Sequence, residues 1–76
     1  MSKPDQVMVN VSGSWVNLVT VSPVRLGEVQ EACLQLAANH LGSVSFKVVE
    51  GDSGAVIAQL NSPAKPGQPH GWHSPN

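Results

Sequence analysis

The chain has 76 residues, a net charge of −1 and a single cysteine, which leaves room for one small domain. Cys33 alone excludes an intramolecular disulfide or a four-cysteine zinc site, and it fits a reducing, cytoplasmic setting. The four basic residues, Lys3, Arg25, Lys47 and Lys65, are scattered along the chain, so they cannot form the basic stripe that neutralises phosphates, and a nucleic-acid partner is disfavoured.

Met1 to Gln6 carry no apolar stretch behind their charge, and no run approaches about 18 apolar residues, so neither export nor a membrane span is expected. Without export, Asn10-Val11-Ser12 is a chance match to the glycosylation sequon. Residues 1–5 are expected to be a flexible N-terminus, residues 6–60 a single domain and residues 61–76 a disordered Pro/Gly-rich tail.

From Val7 to Val11 apolar residues alternate with Met8 and Asn10, the period of a half-buried strand. Gly13 lies between two β-rich runs, marking a hairpin with a two-residue loop at Ser12-Gly13 or Gly13-Ser14, and Trp15–Val21 returns as the second strand. Either loop gives one facing parity. Val7, Val9, Val11, Val16 and Leu18 share one side, and Met8, Asn10, Trp15, Asn17, Val19 and Val21 share the other.

Ser22-Pro23 suits a helix start, with serine as the cap and proline in the first turn. The helix is expected to run to about Leu41, with Gly42 as the left-handed residue that ends it. Leu26, Val29, Cys33, Leu36, Ala37 and His40 form its apolar stripe, widened by Leu34, Ala38 and Leu41, while Glu28, Glu31, Gln35 and Asn39 face water.

Val44, Phe46 and Val48 then alternate with Ser45, Lys47 and Val49 ahead of the turn-rich Glu50–Gly54. A three-residue loop at Gly51–Ser53 would put Val56, Ala58 and Leu60 on the buried face and Ile57 beside Lys47 on the other. The sum is an α+β fold, β-β-α-β-β, a four-stranded, mainly antiparallel sheet with one helix packed on one face.

No catalytic, metal or nucleotide motif stands out. Cys33 and His40 lie two helical turns apart, beyond nucleophile-to-base reach, so Cys33 reads as a buried structural thiol. His70 and His73 are two imidazoles where structural zinc takes four ligands, so no metal or cofactor is assigned. The carboxylates are unpaired in sequence and point to no acid/base site, which leans against an enzyme.

The expected binding surface is the sheet face opposite the helix, where Met8, Trp15, Val19, Val21, Val49 and Ile57 are interrupted by Asn10, Asn17 and Lys47. Trp72 in the tail is an aromatic anchor for this domain or a partner. About sixty foldable residues bury too little to stand comfortably alone, so self-association, as a dimer, is the expected supplement. The function so read is a non-enzymatic homo-oligomeric binding or adaptor module that can also take a protein partner. The alternative is a small-molecule binder or minimal enzyme whose interfacial pocket draws on Trp15, Asn10, Asn17 and His40, and a nucleic-acid-associated protein is the least favoured.

Overall fold

The computed structural model describes residues 3–11, 13–62, 66–67 and 71–74. The strands are β1 (Asp5–Asn10), β2 (Trp15–Val21), β3 (Val44–Val49) and β4 (Val56–Ser62), and one helix, α1 (Leu26–Asn39), follows a 3-10 turn at Pro23–Arg25. They form an α+β fold whose antiparallel sheet has the order β2-β1-β3-β4. The two hairpins therefore meet through their first strands, β1 against β3, and β2 and β4 are the edges.

The first hairpin keeps the register of a Ser12-Gly13 loop near its turn, with Asn10 opposite Trp15, Val9 opposite Val16 and Met8 opposite Asn17. The Asn10 side-chain oxygen accepts the Gly13 amide at 2.8 Å, the local bond by which asparagine stabilises tight turns. Beyond Asn17 the strand bulges. Val19, not Leu18, pairs with Val7, and Val21 pairs with Asp5. One extra residue reverses the facing of all that follow, so Val19 and Val21 belong to the helix side, contrary to the alternation read from sequence. Val21 is in the core.

The helix starts without the expected serine cap. The Ser22 hydroxyl makes no capping bond, and its carbonyl accepts the Arg25 amide at 2.8 Å instead. At the other end α1 stops at Asn39, short of Leu41, because His40 turns to extended backbone at φ −78° and ψ 136°. The Asn39 side-chain amide donates to the Gln35 carbonyl, one turn back, at 2.8 Å. Gly42 has a φ of 102° but sits past the helix end, in the connection to β3.

The second hairpin closes on a longer loop than expected. The Glu50 amide donates to the Ala55 carbonyl and the Gly54 amide to the Glu50 carbonyl, both at 2.8 Å. Val49 then pairs with Val56 and, across a bulge at Ile57, Val48 pairs with Ala58 and Phe46 with Leu60. The longer loop and the bulge together shift the register by two residues, which preserves parity. Ala58 and Leu60 keep the buried side, and Val56 moves to the other.

The core is Val7, Val21, Cys33, Ala37, Val44, Phe46, Val48 and Leu60, with Val9, Leu26, Val29, Leu34, Ala58 and Trp72 packed against it. Each large side chain fully buried here contributes about 1.5–3 kcal/mol. The helix lies over β3 and β4, so on the helix side of β2 Val21 reaches the core while Val16, Leu18 and Val19 stay partly exposed.

Contacts extend past residues 6–60 at both ends. Asp5 is buried at the head of β1 and accepts the Gly51 amide at 3.2 Å, and the Lys3 amide donates to Asp52 Oδ1 at 3.0 Å. At the other end β4 continues through Asn61 and Ser62, and Gly71–Ser74 returns to the domain. Residues 63–65 and 68–70, with Lys65 and His70, lie outside the described residues. No helix among the described residues is long and apolar enough to cross a membrane.

Candidate functional site

Of the residues expected on the face opposite the helix, Met8, Asn10, Trp15, Asn17 and Val49 are brought together there by direct pairing across β2, β1 and β3. Lys47 shares this face, its Nζ 4.5 Å from the centre of the Trp15 ring, a cation–π contact of about 0.5–1 kcal/mol at an exposed site. Ile57, the bulge residue of β4, is 40% exposed. The same face carries Gln6, Thr20, Gln59 and the Ser45–Asn61 pair, hydrogen-bonded at 2.9 Å. With Val19 and Val21 gone from it, this surface is mainly polar; Met8, Trp15 and Val49 remain of the apolar patch read from sequence, and Val56, expected on the buried side, joins them beside Val49.

The larger apolar exposure is on the helix side, along β2. Val11, Val16, Leu18 and Leu36 are each about half exposed, at 56, 55, 45 and 57%, and Val19 is 39% exposed. Between β2 and α1 they border an open groove of about 330 Å³, lined by Val9, Val11, Leu18, Leu36, Val44 and Phe46, with Asn39 and His40 at its rim. Sequence reasoning missed this groove. Its signal was present, because Val16, Leu18, Val19 and Val21 are apolar while Asn17 and Thr20 are three apart, an interruption of strict alternation that a bulge produces.

Cys33 is buried, and that burial raises its thiol pKa above the ordinary 9.0. A neutral thiol in an apolar setting is a poor nucleophile, and His40, exposed at the helix end, makes no side-chain hydrogen bond to it. Among the described residues no group of three or more His, Cys, Asp or Glu side chains could hold a metal ion. The described cations do not assemble either, since Arg25 pairs with Glu28 at 3.1 Å and Lys47 stacks on Trp15.

Trp72 lies on the other side of the helix, away from the remaining site candidates. Its indole N–H donates to the Gln30 carbonyl at 2.7 Å, and its ring centre is 6.5 Å from that of Phe46 at a tilt of 46°. Beside it, Gln59 and His73 exchange backbone hydrogen bonds of 2.8 and 2.9 Å, adding a one-residue rung to the outer edge of β4. Thus one sheet edge carries a short cover from the tail, while among the described residues β2 pairs with β1 alone. Neither a family model, nor a curated protein, nor a solved structure matches this chain, so its functional reading rests on this geometry.

Proposed function

We propose that this chain is a small, non-enzymatic, self-associating binding module, and that a second copy joins it along β2, with the helix-side groove as the shared seam. The observation that carries the reading is the coincidence of an unshielded edge strand with the exposed apolar groove. β2 reads Trp-Val-Asn-Leu-Val-Thr-Val, without a charge or a proline, and those are the usual means by which an edge strand resists pairing. The bulge at Leu18 leaves Asn17 facing one way and Val16, Leu18 and Val19 the other, so a partner strand would bring its own apolar row against the groove. A two-fold axis perpendicular to the sheet beside β2 would pair the two edges antiparallel with both apolar rows on one face, a self-complementary and closed contact. It would also supply burial that a core of eight buried apolar residues among those described does not provide alone.

A second copy would cover the open side of the groove, whose volume lies at the lower end of those that hold small ligands. This supports an interfacial small-molecule site with His40 and Asn39 at its mouth as the second reading. The test is the mass in solution by light scattering of wild type, Leu18→Lys and Trp15→Asp, with circular dichroism to establish folding. A wild-type dimer that becomes a folded monomer with Leu18→Lys and stays a dimer with Trp15→Asp supports the β2 seam. The reverse pattern moves the interface to the opposite face, and a folded wild-type monomer removes self-association.

A further inference from the structure

We propose that the slot between α1 and the outer edge of β4 is a docking site for an extended, tryptophan-bearing peptide segment, with the chain's own Gly71–Ser74 as its resident, displaceable ligand. The walls of the slot belong to the framework. Phe46 is in the core, Gln59 is held in the β3–β4 ladder, and Gln30 and Leu34 are on α1.

The resident segment defines the chemistry the slot accepts. Gly71 enters at a φ of 91°, and a Cβ there would stand 3.8 Å from Leu34 Cδ1, so the ligand begins with a residue that takes left-handed backbone beside an apolar wall. Next comes an indole that packs near Phe46 and donates to the Gln30 carbonyl. The following residue exchanges both backbone hydrogen bonds with Gln59, which is strand addition reduced to one rung, with the indole supplying specificity.

Two features mark the resident as displaceable. Its rung is a single residue pair, whereas β1 and β2 share six, and segments held by few buried contacts open first. It is also an imperfect ligand. His73 Nδ1 lies 3.3 Å from the Gly71 carbonyl, and Nε2 is buried with no hydrogen-bond partner among the described residues. A segment with an apolar side chain at that place would not strand a polar atom.

The test uses full-length Trp72→Ala titrated with a synthetic peptide of residues 66–76, followed by NMR at the amides of Gln30, Leu34 and Gln59. Folded Trp72→Ala is expected to bind the peptide saturably and one to one, and wild type, whose slot is filled, more weakly. Replacing the tryptophan of the peptide with alanine should weaken binding at least roughly tenfold, and His73→Val in the peptide should strengthen it roughly tenfold. A folded Trp72→Ala that does not bind overturns the site, and a valine peptide no tighter than the native one overturns the imperfect-ligand assignment. If Trp72→Ala does not fold, amide exchange in wild type decides. Gln59 and His73 amides exchanging at least roughly hundredfold faster than those of Val7 and Val48 support displacement, and equal rates overturn it. The slot and β2 lie at opposite edges of the sheet, so its failure is separable from that of self-association.

Discussion

Gly51 and Asp5 show how one turn is joined to the start of the chain. The backbone carbonyls of Lys3 and Pro4 approach Gly51 so closely that a Cβ would collide with both, while the Asp5 carboxylate accepts the Gly51 amide. Gly51→Ala is therefore expected to destabilise the domain by about 1–3 kcal/mol, because the obstacle is backbone. Asp5→Ala should cost about 1–3 kcal/mol by leaving that amide unpaired; urea unfolding of both variants checks this. Cys33 carries a pH prediction. Burial raises its pKa in the folded state, so its contribution is whole below the ordinary value of 9.0 and is lost as pH rises through the folded one. Stability should fall in alkali, and Cys33→Ala should remove that part of the fall. The thiol should also resist a soluble disulfide reagent at neutral pH until the protein unfolds. Neither the close approach at Gly51 nor the burial of Asp5 is local to its own stretch of sequence, and a dense run of turn formers does not reveal what packs on it.

The two bulges divide what was legible in the strands from what was not. The existence of each strand followed from alternation, and the faces of β1 and β3 were read correctly, with Val7, Val44, Phe46 and Val48 inside. In β2 the extra residue at Leu18 reversed the facing of Val19 and Val21, and in β4 the extra residue at Ile57 moved Val56. A bulge forms where the twist and the neighbouring strand favour it, and a hairpin read alone contains only half of that information. Val21→Asp is accordingly expected to abolish folding or to cost about 3 kcal/mol or more, as a charge in a packed core does, whereas Thr20→Asp on the exposed side of the same strand should stay within about 0.5 kcal/mol. Equal effects in thermal melts would contradict the register. The helix stripe was legible through Cys33 and Ala37, but Leu36 is exposed because a single helix covers only the strands it lies over, and Leu41 is exposed because the helix ends before it.

The molecule as a whole is asymmetric about its helix. The β4 side carries Trp72 and the tail rung, whereas along β2 Val16, Leu18 and Val19 are left partly exposed among the described residues. If a second copy is the missing cover, the melting temperature must rise with protein concentration, since mass action favours the species that buries more. Raising the concentration roughly hundredfold should lift the Tm of wild type by several degrees and leave Leu18→Lys unmoved. Arg25→Ala, which removes a salt bridge between two exposed side chains, should change stability by less than about 0.5 kcal/mol. The core itself was largely visible as the apolar parity of helix and strands, while its extent toward the tail was not.

The order of elements, their types and the apolar parity of β1, β3 and the helix follow from the residues in line, because period and turn chemistry are local quantities. The joining of the hairpins through β1 and β3, the two bulges and the return of Trp72 to Gln30 and Phe46 were set in space. Each depends on a surface that exists only once distant segments have met, and a tryptophan in a proline-rich tail has no local partner to announce where it will rest.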